Sequence, residues 1–146
     1  MSASAASSPT KSFVVERTMP HPASKIWRAL TQSPLIEEWL MKNNFEPVVG
    51  HEFTFQAKPV PGWSGVTHCE VLEVDEPNRL VYRWGKPTDS DSGLSTIVTW
   101  TLTPTDGGTH VRMEQSGFRP QDECGYQGMS GGWPHIVEGL ERVAGR

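Results

Sequence analysis

The sequence predicts an α+β fold: an antiparallel sheet covered by one long C-terminal helix. Three observations carry this. From residue 50 to residue 116, strand patterns follow one another with no helical pattern between them. Two short helical patterns, each opened by a proline, precede that run, and one amphipathic segment follows it. Successive strands with helices segregated to the ends argue α+β rather than alternating βαβ units. There is no internal repeat.

Each element has a local reason. Residues 1–11, opening MSASAASSPT, are small and polar. They contain no apolar core of a secretory signal and read as a flexible tail, which leaves 12–146 as a single domain. KSFVVERTM is β-rich and short, a first strand. In HPASKIWRALTQ, Pro22 suits the first helical position, and Ile26, Trp27 and Leu30 form the buried stripe. SPLIEEWLM repeats the device: Ser33 can cap, Pro34 opens, and Leu35, Ile36, Trp39 and Leu40 face inward. GHEFTFQAK alternates, with Phe53 and Phe55 on one face, before KPVPGWSG breaks it as a loop. VTHCEVLEV and RLVYRWG flank DEPN, a hairpin signal. KPTDSDSG is a polar loop; LSTIVTWTLT then sets Val98, Trp100 and Leu102 on one face. TDGG is the clearest turn, and THVRMEQS returns with Val111, Met113 and Gln115 aligned.

The closing segment, GMSGGWPHIVEGLERVAGR over residues 128–146, places Trp133, Ile136, Val137, Leu140 and Val143 on one helical stripe. Its start is unusual. Gly128, Gly131 and Gly132 crowd the first turns and Pro134 follows, although glycine costs a helix interior about 1 kcal/mol and proline about 3. The expectation is that these glycines serve space, letting backbone approach a strand or a ligand, while Trp133 plugs one end of a pocket.

Composition removes several function classes. A formal charge of −4 leaves no basic footprint for nucleic acid. No apolar run approaches the ~18 residues of a membrane span. Of the two cysteines, Cys69 and Cys124, a free or buried thiol in a reducing cytoplasm is favoured over a disulfide. The five histidines pair neither with one another nor with a cysteine at metal-ligand spacing, so no metal and no cofactor is expected. There is no GxSxG elbow, and GMSGGW lacks the lysine and the strand context of a phosphate loop.

An antiparallel sheet with one apolar face needs one cover, and the closing helix is the long element available. Between them lie Phe53, Phe55, Tyr82, Trp84, Trp100 and Met113, either a plain core or the lining of an apolar small-molecule pocket. Composition alone favours the core.

Four stretches bear on that choice: VVERTMPHPASKIWRALTQSPLIEEW, EVLEVDEPNRLVYRW, TIVTWTLTPTDGGTHVRMEQSGF and GGWPHIVEGLE. In order and spacing they resemble the single-domain bacterial relatives of the activator of the heat-shock protein 90 ATPase, within the START-like or SRPBCC superfamily. The resemblance runs from about Ser12 to Val143. It implies a helix-grip, Bet v 1-like fold with a deep hydrophobic cavity between sheet and helix. It also implies a lipid-, polyketide- or flavonoid-like ligand, and it turns the choice towards a pocket. Relatives often carry histidine where this chain has Gln115, so no acid–base role passes to that position. The resemblance also raises contact with a chaperone, although nothing here could be the separate chaperone-contacting domain of the eukaryotic co-chaperone.

The expected ligand-binding set is Trp39, Phe53, Phe55, Trp63, Tyr82, Trp84, Trp100, Met113, Gln115, Trp133 and Val137. Gln115 either orients a ligand or bonds to backbone at a strand end; Trp63 either lids the cavity or covers a strand edge. The alternative function is a cyclase- or hydrolase-like enzyme using His68 or Glu70, which share a strand face with Leu72. Hairpin length decides: four loop residues turn Val71 towards the Tyr82 face, five turn Leu72 there. No catalytic residue is assigned, and the partner expected is a small apolar molecule bound in the cytoplasm.

Overall fold

The structure, a computed structural model, describes residues 10–61, 64–86 and 93–146. Residues 1–9, which make up most of the expected tail, and Trp63 lie outside the described residues. The elements are β1 (Lys11–Met19), α1 (Ala23–Thr31), α2 (Ser33–Trp39), β2 (Lys42–Asn43), β3 (Glu52–Gln56), β4 (Val66–Asp75), β5 (Arg79–Trp84), β6 (Thr96–Thr105), β7 (Gly108–Phe118) and α3 (Glu123–Ala144). Among the described residues seven strands form one antiparallel sheet in the order β1-β7-β6-β5-β4-β3-β2. The first strand is therefore carried past five others to pair with the last.

Alternation sets the inner face. Thr96, Val98, Trp100 and Leu102 of β6 are buried, as are Thr109, Val111, Met113 and Gln115 of β7. The register lays Trp100 opposite Met113, Tyr82 opposite Val98 and Val71 opposite Tyr82. Directly opposed side chains of this size are the unit that stabilises a sheet. The β6–β7 hairpin turns at Asp106-Gly107, where Gly107 has φ +82°, a conformation glycine adopts without penalty.

The helices depart from expectation in three places. Pro22 is the N-cap of α1, not its first helical residue. Ser33 lies inside α2 and caps nothing. Its hydroxyl donates to the Asn43 carbonyl at 2.9 Å, and the Asn43 amide returns to the Ser33 carbonyl at 3.2 Å, tying α2 to β2. Most importantly, α3 starts at Glu123, five residues before the expected start at Gly128, and runs through the glycines and Pro134. Tertiary contacts override their poor propensity. Tyr126 packs edge-on against Phe13 and Phe118 with centroids at 5.8 and 5.3 Å. Lys11 reaches Glu123 at 2.6 Å, and further along Arg17 reaches Glu141 at 2.6 Å. The short turn Pro120–Asp122 leads into the helix.

Candidate functional site

Trp133, Val137, Leu140 and Val143 of α3 are buried against the inner face of the sheet. Much of the space between is full. Trp100 meets Trp39 at 5.8 Å and Trp133 at 5.9 Å between centroids, both edge-on. Phe53 stands edge-on to Phe45, Phe55 and Tyr82 at 5.0 to 5.7 Å. Edge-to-face aromatic packing of this kind fills volume at favourable quadrupole geometry.

The polar atoms of this core are paired as well. Trp39 Nε1 donates to the Ala29 carbonyl at 2.9 Å, and Trp100 Nε1 to the Tyr82 hydroxyl at 3.0 Å. Burial holds the Tyr82 phenol well above its ordinary pKa, so it stays neutral. Gln115, fully buried, joins three elements. Its carbonyl oxygen accepts from Trp133 Nε1 at 2.9 Å, and its amide donates to Thr96 Oγ1 at 2.9 Å and to Met129 Sδ at 3.4 Å. Neither earlier reading of Gln115 describes this: its partners are side chains of the core.

The cavity lies beside this packed region, towards the N-terminal half of α3. Its volume is about 700 Å³, within the range of small-molecule sites. The buried floor is Trp84, Gly85, Thr67, Trp133 and Asp122. Leu40, Met41, Leu94, Met129 and Ile136, all half-buried, form apolar walls. Val60, Pro61, Gln121, Cys124 and Gly128 lie on the exposed rim.

The reason for the space is the run of glycines. Gly125, Gly128 and Gly132 fall at i, i+3 and i+7 on one face of α3, and each lines the cavity. A Cβ added at any of them would meet no atom within 4 Å. The expected close approach of backbone to a neighbouring strand is therefore absent; the glycines leave room in front of the helix. Gly85 is different. It combines φ +86° with a Cβ direction that would come 2.1 Å from the Leu94 carbonyl oxygen, so only glycine fits.

Of the expected ligand-binding residues, Trp84 and Trp133 line this cavity. Trp39, Phe53, Phe55, Tyr82, Trp100, Met113, Gln115 and Val137 do not; they are side chains of the filled core. Trp133 is 2% exposed and forms floor, not plug. His68 and Glu70 point to the other face of β4. Val71 pairs with Tyr82, but loop length does not decide it: the hairpin loop has three residues, Glu76 to Asn78, with Asp75 opposite Arg79, and a bulge at Leu72 shifts the register so that Val71 faces Tyr82. Cys69 and Val71 point inward, while Glu70 pairs with Arg83 at 2.7 Å on the outer face. An acid–base dyad inside the cavity is thereby overturned.

Residues that the sequence reading passed over take its place. Asp122 enters the floor from the turn before α3, its side chain held by Arg119. The Arg119 backbone N–H and Nε both donate to Oδ2 at 2.8 Å, and Nη2 donates to Oδ1 at 2.8 Å. The guanidinium beside it holds the Asp122 carboxyl below its ordinary pKa. Arg119 Nη2 also donates to the Gly93 carbonyl at 3.3 Å, linking this turn to the β5–β6 connection. The three-residue spacing of arginine and aspartate was the legible sign. Cys69 is buried and Cys124 exposed, and the two form no disulfide.

Among the described residues no group of His, Cys, Asp or Glu gathers as a metal site, and no helix is long and apolar enough to cross a membrane.

The geometry has counterparts in solved structures. Protein MLL2253 from Mesorhizobium loti is 51% identical, with a TM-score of 0.83 over 91% of this chain and 96% of that one. Protein BH1534 of Bacillus halodurans, 23% identical, matches at TM-score 0.75 over 92% and 96%. The Aha1 dimer from Colwellia psychrerythraea, 16% identical, matches at 0.74 over 92% and 96%. At these lower identities the likeness shows the fold alone: the curved antiparallel sheet and long C-terminal helix of START-like, Bet v 1-like proteins. No curated protein matches the sequence. The family model described as Activator of Hsp90 ATPase homolog 1-like protein matches residues 20–145, and the chain belongs to that family.

Proposed function

We propose that this protein binds a small hydrophobic or aromatic molecule, lipid-, polyketide- or flavonoid-like, in the cavity between the sheet and α3, in the cytoplasm. The observation that carries the reading is the cavity of about 700 Å³ whose floor includes two indoles and whose helix wall is bare of side chains at three glycines. Apolar walls supply affinity without direction, and a few polar groups at one end orient the ligand. Two cysteines that form no disulfide agree with a reducing compartment. The competing enzyme reading loses its acid and base, since His68 and Glu70 stand on the face of β4 away from the cavity.

Titration with a flat apolar reporter dye tests the proposal. Trp84 and Trp133 form the floor, so binding should quench tryptophan emission in the folded protein, and a Gly128→Leu variant should lose the quenching. Folded protein that quenches with no member of a panel of apolar molecules would overturn it.

A further inference from the structure

The cavity is apolar but not featureless. Among the described residues that line it, Asp122 is the one charged side chain, and no lysine, arginine or histidine is present. The positive partner of Asp122 does not line the cavity. Arg119 directs its backbone N–H, Nε and Nη2 at the carboxylate and Nη2 also at the Gly93 carbonyl, and of the pair Asp122 is the residue that lines the cavity. The two bonds to Oδ2 occupy that oxygen, whereas Oδ1 has accepted one and keeps acceptor capacity. The Asp122 side chain is 3% exposed and cannot turn to bulk water for its remaining bond.

Resting on the ligand-binding reading above, we infer that the cavity selects neutral, hydrogen-bond-donating apolar molecules and rejects carboxylates, and that Asp122 sets this preference. A hydroxyl or amide N–H brought to the floor gives Oδ1 its last partner, a charge-assisted bond in a water-poor site. An ionised carboxylate brought there finds no cation, loses its hydration and meets a like charge. A free fatty acid therefore enters head-outward or not at all, while a phenol or alcohol of the same skeleton enters head-inward. The other buried lining, Trp84, Gly85, Thr67 and Trp133, carries no charge.

Matched pairs test this on the full chain: 2-naphthol against 2-naphthoate, and dodecanol against dodecanoate, near neutral pH, by calorimetry and tryptophan quenching. The neutral member should bind at least about tenfold tighter, the scale of one charge-assisted bond. In Asp122→Asn, which removes the charge and keeps the shape, the ratio should fall towards one. Equal or tighter binding of the carboxylates by the wild type overturns the selectivity while leaving the cavity reading standing. A ratio unchanged in a folded Asp122→Asn variant overturns the assignment to Asp122. Binding of neither member overturns both readings. Gly125→Lys gives a second route if Asp122→Asn does not fold. It puts an ammonium one turn along α3, at a position with open space for the side chain, and the carboxylates should gain about tenfold; no gain counts against the inference.

Discussion

The indole N–H of Trp133 donates to the side-chain carbonyl of Gln115 at 2.9 Å, so α3 is hydrogen-bonded to β7 inside the core as well as packed on it. Gln115 passes the link on to Thr96 of β6, whose hydroxyl donates to the Trp84 carbonyl of β5 at 3.3 Å. Three strands and the helix thus share one buried polar network, which Trp133 joins through its indole and Trp84 through its backbone carbonyl.

Gln115→Leu keeps the volume and strips partners from Trp133 and Thr96. A buried donor left unpaired costs about 1–3 kcal/mol. The melting temperature should drop by roughly 4 °C for each kcal/mol lost. Trp133→Phe should cost less in the Gln115→Leu background than in the wild type, because the same bond cannot be lost twice. Strict additivity in that double-mutant cycle would mean the bond contributes nothing.

His68→Ala and Glu70→Ala should leave ligand affinity unchanged, since both side chains occupy the outer face of β4. Loss of the Glu70–Arg83 pair, partly exposed on both sides, should cost no more than about 1 kcal/mol. Should a substrate exist whose turnover falls ~100-fold in either variant, the enzyme reading would return.

The aromatic inner face was legible in the sequence, and so were the order of elements, the hairpins and the stripe of α3. What the alternation could not tell was where that face is filled. Trp100 reads the same whether it looks into space or, as here, onto Trp39 and Trp133. A cavity is residual volume, decided by how rings interlock across the sheet, and that depends on register and rotamer. The start of α3 was missed because ECGYQ carries no apolar stripe of its own. Its helix is held by Tyr126 against Phe13 and Phe118, and by Lys11 and Arg119, all distant from it or outside the helical pattern. Yet the glycines that obscured the helix were also the sign of the cavity, once Gly125, Gly128 and Gly132 are set on one face.

Stability should respond to acid through Asp122. Arg119 lowers the folded-state pKa of Asp122 below its ordinary 3.8. A group depressed in the folded state contributes stability above its unfolded pKa and loses it as pH falls through the folded value. The wild type should therefore lose melting temperature from about pH 4 downward. Asp122→Asn should start lower and show a shallower loss. The slope should not vanish, because Lys11 and Gln127 depress Glu123 in the same direction. Parallel curves for the two proteins would contradict the coupling.

The glycines of α3 separate helix propensity from function. Gly131 is exposed, faces away from the cavity and has no neighbour within 4 Å of an added Cβ. Gly131→Ala should stabilise the protein by up to about 1 kcal/mol and leave binding untouched. Gly132→Ala should stabilise by a similar amount and narrow the cavity by one methyl group. Gly132→Leu should keep the fold, since the side chain projects into open space, and abolish binding by filling that space. Gly85→Ala is the opposite case: at positive φ, with the Leu94 carbonyl 2.1 Å from the added carbon, it should destabilise strongly. Thermal melts and reporter-dye titrations on the four variants read both quantities. If Gly132→Leu bound the dye as well as the wild type does, the ligand site would have to lie elsewhere and the bare helix face would have no role in recognition.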